Sequence, residues 1–395
     1  MDSLSLRVKN MSSSPTMAIT SKAKEMRAKG IDVIGFGAGE PDFDTPVHVK
    51  EVAIEAIKKG FTKYTAAAGI PELREAIVRK LLRDNDIEYS SSHVVVTDGA
   101  KFALFSLMLS IIEKGDEVVI PAPYWVTYPE QVKFAGGKPV FVDTKEEDGF
   151  VFTVELLEKV VSERTKLLIL CSPSNPTGAV IPERELKRIG EFCVERGILI
   201  ASDECYEKLV YEGKHVSIAS LSPEIKKITV TINALSKAYS MTGWRVGYAA
   251  GPSEIISSMV KINSQSVSNV NSIAQKAAVA ALNGPQEFLR EWLEAFNDRR
   301  RYMVERFSSV PGVSCGVPKG AFYAFPNVKE VILKGNFKDD FDFADFLLEN
   351  AKIAAVPGSA FGYPGYMRFS YATSMENIEK GLDRFESAVK LIMER

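Results

Sequence analysis

Lys237 and Arg245 stand eight residues apart in SKAYSMTGWRVGY, a short turn between the apolar runs KITVTIN and VGYAAG. A lysine amine in such a place is a candidate nucleophile, and an arginine fork is a candidate phosphate receptor. Other polar residues follow apolar, β-branched runs in the same way. Gly99, Ala100 and Lys101 come after HVVVTD, and Tyr124 and Trp125 after VVIPAP. Asn175 comes after LLILCSPS, Asp203, Glu204 and Tyr206 after ILIAS, and Ser236 after ITVTIN. In an open α/β sheet, groups at the carboxyl ends of strands converge on one ligand site. An amine, a carboxylate, Asn and Tyr donors, an aromatic plate and an anion-ready helix start form a specific set. Pyridoxal phosphate chemistry uses every member. The amine condenses with the cofactor aldehyde, and the carboxylate keeps the ring nitrogen protonated so that the ring can draw electrons. Asn and Tyr bond the phenolate oxygen, the aromatic side chain stacks on the ring, and the helix start and the arginine take the phosphate.

Singly, each residue has an ordinary alternative. Lys237 could be solvated, Trp125 core, Asp203 a helix cap, and NPTG or Gly99 merely turns. Their joint occurrence at five strand ends favours the shared site. Histidine offers no alternative chemistry: His48, His93 and His215 each stand alone in the sequence, so neither a His triad nor a metal site is expected. Cys171, Cys193, Cys205 and Cys315 show no redox or zinc spacing and read as buried free thiols.

The elements that must position these residues are legible. TPVHVKEVAIEAIKKG reads as a helix with Thr45 as N-cap, Pro46 in the first turn and Gly60 past the end. Short apolar runs alternate with helical patterns from about 47 to 285, which predicts a mostly parallel sheet buried on both faces. The chain of 395 residues suggests two domains. We expect a large domain over 47–285 and a smaller α+β domain over 286–395, with segment 1–46 packing on the smaller one. The net charge of −2 gives no reason to expect nucleic acid. No apolar run is long enough for a membrane span, and the first residues lack a signal-peptide core, so a cytoplasmic protein is expected. GFGAGE lacks the dinucleotide-binding glycine spacing.

The motifs SPSNPTGAV, SDECYEKLVY and SKAYSMTGWRVGY resemble those of the class I aminotransferases, in the fold-type I pyridoxal-phosphate superfamily. GAGEPDFDTP, KYTAAAGIPELREAI, VPGSAFG and MRFSYATSMENIEKGLDRF extend the resemblance, in order, over nearly the whole chain. It is most similar to the bacterial-type aspartate aminotransferase subgroup, some members of which also accept prephenate. The resemblance implies an α/β fold with a seven-stranded-type sheet between helices, pyridoxal 5′-phosphate as cofactor, and a homodimer whose sites are shared across the interface.

It also implies residue roles. Lys237 would carry the cofactor and act as general base and acid, Asp203 would pair with the ring nitrogen, and Asn175 and Tyr206 would bond the phenolate oxygen. Trp125 would stack on the ring. Arg245, Ala100, Lys101 and Ser236 would bind the phosphate, and Gly243 would let the turn close. Ala234 stands where some relatives carry a serine. Tyr64 would reach the phosphate in the neighbouring subunit. Arg368, with Asn175 and the Gly39 backbone, would clamp the substrate α-carboxylate. Lys101 and Thr16 would receive a second carboxylate, which suits aspartate and glutamate, and also prephenate. The implied reaction is ping-pong transamination between L-aspartate and 2-oxoglutarate. An aromatic- or alanine-type aminotransferase and a C–S lyase on the same scaffold remain alternatives.

Overall fold

The computed structural model describes residues 4–12 and 15–394. Its strands in chain order are β1 (Ile34–Gly35), β2 (Val94–Thr97), β3 (Glu117–Ala122), β4 (Lys138–Asp143), β5 (Thr165–Cys171) and β6 (Leu199–Asp203). There follow β7 (Thr229–Ala234), β8 (Gly247–Ala250), β9 (Tyr323–Ala324), β10 (Ile353–Ala354), β11 (Val356–Pro357) and β12 (Met367–Ser370). Seven of them form one sheet in the order β2-β8-β7-β6-β5-β3-β4. β8 runs antiparallel to both its neighbours, and every other pairing is parallel. The sheet is therefore mostly parallel, as expected.

Alternation along each strand feeds two cores, because successive side chains leave a strand on opposite faces. Val118, Ile120, Leu167 and Ile169 pack with Leu104, Leu107 and Met108 of the helix Gly99–Ile111. Val119, Leu168, Leu170 and Ile200 pack on the other face, with Leu186 and Ile189 of the helix Glu183–Arg196. These strands read as unbroken apolar runs because both faces are covered.

A separate aromatic core gathers Phe296, Phe307, Phe322, Phe369 and Phe385, and Phe36 from the N-terminal segment joins it. β1 pairs in parallel with β10, and Lys22 bridges to Asp345 and Glu349 at 3.0 Å each. The small sheet β11-β12-β9 carries Arg368.

Two local expectations shift. Pro46, not Thr45, holds the cap position of the helix Val47–Lys58. The Thr45 hydroxyl is instead committed to the Ser240 carbonyl at 2.7 Å and accepts from Trp244 Nε1 at 3.0 Å. Of the four free thiols, Cys193 and Cys205 are buried, while Cys171 and Cys315 are only partly so. Among the described residues no helix is long and apolar enough to cross a membrane.

Candidate active site

A cavity of about 480 Å³ opens at the carboxyl ends of the central strands. Asp203 ends β6, and Lys237 lies in the short helix Leu235–Ala238 directly after β7. Ala100 and Lys101 open the helix that follows β2, while Trp125 and Asn175 lie beyond β3 and β5. All six line this cavity, together with Thr16, Gly39, Tyr206, Ser236, Arg245 and Arg368. Tyr64 stands apart from this cavity and is 89% exposed. A neighbouring cavity of about 710 Å³ shares Lys101 and Arg245, but not Lys237, Asp203 or Arg368.

The electrostatics follow from enclosure. Lys237 Nζ donates to the Gly39 carbonyl. Burial lowers its pKa to about 8, and the nearby Arg368 and Arg245 charges add to the effect. Roughly a tenth of the amine is therefore neutral at pH 7, far more than of a lysine at the ordinary value of 10.5.

Asp203 is 5% exposed and accepts from the Tyr128 hydroxyl at 2.7 Å and the Cys205 amide at 3.3 Å. Burial raises its pKa against those two donors, and among the described residues no cation pairs with it. Tyr206 shares a 2.7 Å hydrogen bond with Tyr323, whose hydroxyl lies 2.9 Å from where a Cβ on Gly39 would sit.

Arg368 is 3% exposed. It donates to Asn175 Oδ1 and to the Gly37 carbonyl, both at 2.9 Å, and its guanidinium lies 4.4 Å from the Tyr323 ring centre. Burial lowers its pKa. Its Nε is buried without a hydrogen-bond partner, and among the described residues no carboxylate pairs with it. The Gly37 carbonyl supplies the backbone contact to this arginine, and Gly39 lines the same cavity.

The turn after Lys237 is held in left-handed backbone by Ser240 at φ 49° and Arg245 at φ 55°. Gly243 is not among the residues of positive φ, so the tight turn does not depend on it. Non-glycine residues adopt that region when surrounding contacts hold them there. Here Ser240 donates to the Phe43 carbonyl, Thr242 to Glu40 at 3.0 Å, and Arg245 to the carbonyls of Thr242 and Asp98 at 2.9 and 3.1 Å. Arg245 thus stands at the N-terminus of the helix Gly99–Ile111, beside free amide groups.

Lys101 Nζ sits 5.0 Å from the centre of the Trp125 ring, and burial and Arg245 lower its pKa. Sequence reasoning missed Tyr128, Tyr323 and Gly37. Each acts by touching a candidate residue from a distant element, and no local motif marks such a contact.

These residues fit pyridoxal phosphate. An amine of lowered pKa, a buried carboxylate lacking a cationic partner and an arginine at a helix N-terminus are the three receptors that the cofactor's aldehyde, ring nitrogen and phosphate require.

The sequence model of the family described as "Aminotransferase class I and II" matches residues 31–385. The chain is 54% identical to a probable aspartate/prephenate aminotransferase of Aquifex aeolicus, covering 98% of this chain and 99% of the relative. It is 51% identical to an aspartate aminotransferase of Geobacillus stearothermophilus, over 96% and 97% of the two chains. A solved aspartate aminotransferase from Thermus thermophilus with maleate superposes with a TM-score of 0.93 at 44% identity, over 98% of this chain and 100% of that one. The chain therefore belongs to the class I and II aminotransferases and is a pyridoxal-phosphate enzyme of that family.

Proposed function

We propose that the enzyme moves the amino group of L-aspartate to 2-oxoglutarate, giving oxaloacetate and L-glutamate in two half-reactions at one site. The observation that carries this reading is Arg368, a buried guanidinium with an unpartnered Nε and no acid partner among the described residues, facing the same cavity as the Lys237 amine. A buried cation of this kind calls for an anion. The α-carboxylate of an amino acid, held by the fork and by Asn175, supplies it.

When bound, pyridoxal phosphate supplies an aldehyde that exchanges amines and a cationic ring that withdraws electrons from the substrate Cα. The protein's part is proton movement and aim. The neutral Lys237 amine takes the Cα proton and returns it to the cofactor's C4′ carbon, two bonds away, as base and then acid. The Asp203 carboxylate keeps a proton on the ring nitrogen, which offsets the burial that otherwise raises its pKa. Tyr206 and Asn175 reach the phenolate side. Arg245, the amides of Ala100 and Lys101, and the Ser236 hydroxyl hold the phosphate end. Trp125 covers the ring face. Lys101 and Thr16 receive the distal carboxylate of a dicarboxylic substrate.

Prephenate is a second candidate, favoured by the name of the Aquifex relative and by its own second carboxylate. The exposed Tyr64 supports a homodimer in which each subunit completes its partner's phosphate site.

The test is a single half-reaction. Holoenzyme given L-aspartate alone should release one oxaloacetate per site and stop, and 2-oxoglutarate should then restore the cofactor's original absorption band. Continuous oxo-acid release from a cysteine conjugate without an acceptor would place the enzyme among the C–S lyases instead.

A further inference from the structure

The segment 203–208, DECYEK, faces two ways. Asp203, Cys205 and Tyr206 line the active-site cavity. Glu204 and Glu207 point away from it and are nonetheless buried, at 1% and 8% exposure. On that reverse side, Glu204 Oε1 accepts from Ser202 at 2.8 Å. Its Oε2 is shared by the Ser217 hydroxyl, by His215 Nε2 at 3.0 Å and by Asn85 Nδ2 at 3.5 Å. Glu207 accepts from Asn85 Nδ2 at 2.8 Å and pairs with Lys80 Nζ. Lys80, only 2% exposed, also donates to Asn85 Oδ1 at 2.6 Å and lies 3.9 Å from Asp84. Asp84 in turn pairs with Lys208 at 2.9 Å and Arg83 at 2.7 Å. The tyrosines Tyr89, Tyr239 and Tyr248 are the other titratable groups that sense these acids. His215, isolated in the sequence, is thus part of a network that joins the helix Pro71–Asn85 to the loop carrying the catalytic carboxylate.

The ligand atoms of Glu204, Glu207 and His215 lie within 4.8 Å of one another. Lys80 already neutralises Glu207, so the cluster is an ion-pair network rather than a cation site. For stability alone, apolar packing would serve as well as buried ion pairs. What apolar packing cannot do is fix the direction of a loop through many hydrogen bonds, or place a charge next to Asp203.

We propose that Lys80, Asn85, His215 and Ser217 are positioning residues, acting through Glu204 and Glu207 to aim Asp203 and Tyr206 at the cofactor, with the Glu204 carboxylate adding a negative field behind Asp203. The inference rests on the transaminase reading of the site. The Glu204 charge opposes ionisation of Asp203 and so strengthens its hold on a ring proton.

The test uses holoenzyme of the wild type, Glu204→Gln and the milder Ser217→Ala, which removes one donor. Three quantities are read: the pH at which the visible band of the cofactor at Lys237 changes, the cofactor dissociation constant, and the melting temperature of cofactor-free protein. We expect the spectral midpoint to fall by a few tenths of a pH unit in Glu204→Gln. The dissociation constant should rise several-fold, and Ser217→Ala should move both in the same direction by less. Lowered melting temperatures with the midpoint and dissociation constant of the wild type would make the network structural only and overturn the proposal. If Glu204→Gln does not fold, Ser217→Ala decides alone. A wild type without a cofactor band would overturn the reading of the site itself, a result separate from failure of the network.

Discussion

At the scale of the residue, the site is a set of charges made reactive by enclosure. Lys237 titrates near 8 because burial disfavours its ammonium form. Lys237→Ala should lose essentially all transamination, measured as oxaloacetate formed from aspartate, while the protein stays folded. The same shift has a signature in stability. The folded amine releases its proton near 8 and the unfolded one near 10.5, so between these values the unfolded chain binds more protons. Stability of the cofactor-free protein should therefore gain from Lys237 as pH rises through that window, and a thermal-melt series should show the gain missing in Lys237→Met. Asp203→Asn keeps the shape and both neighbours but not the charge. It should still bind cofactor and lose several powers of ten in turnover, and near-normal turnover would remove Asp203 from its assigned role.

At the scale of the element, the proposed phosphate end depends on how closely a strand approaches a helix start. A Cβ added to Gly247 of β8 would lie 2.6 Å from the Gly99 carbonyl carbon and 2.7 Å from the Ala100 nitrogen. Those are backbone atoms at the N-terminus of the helix Gly99–Ile111, and they cannot swing aside. Gly247→Ala should cost about 1–3 kcal/mol in denaturant unfolding and weaken cofactor binding in titration. Gly243→Ala is the control, since nothing lies within 4 Å of its added Cβ, and it should leave both values unchanged. The central strands were plain in the sequence, because each is a short run buried on both faces. The cap at Thr45 was misplaced because its hydroxyl is drawn to Ser240 and Trp244, contacts about 200 residues away along the chain.

At the scale of the whole molecule, Tyr64 is a large aromatic left 89% exposed, more than Phe141 at 43% or Phe341 at 40%. In the proposed dimer its hydroxyl reaches the partner's phosphate. Sedimentation equilibrium should report twice the chain mass, and Tyr64→Ala should raise the cofactor dissociation constant without unfolding the protein. A monomer that keeps full cofactor affinity would contradict the shared site. Arg368 belongs to this scale as well. It stands on the small sheet, yet it is held by Asn175 beyond β5 and by Gly37 of the N-terminal segment, so three distant stretches of chain must meet to form the proposed carboxylate receptor.

The apolar runs of the chain specify the strands and their polar ends, and with them the gathering of Lys237, Asp203, Asn175, Trp125 and Lys101 around one cavity. Burial on two faces writes a strand as an apolar run, and a parallel sheet collects whatever follows such runs on one edge. The partners of those residues come from the folded arrangement alone. Tyr128 on Asp203, Tyr323 on Tyr206, Gly37 on Arg368 and the Lys80 network behind Glu204 join positions from 75 to more than 300 residues apart. Such contacts leave no period or spacing in the chain. They arise because a buried polar group must find a partner in space, wherever in the sequence that partner lies.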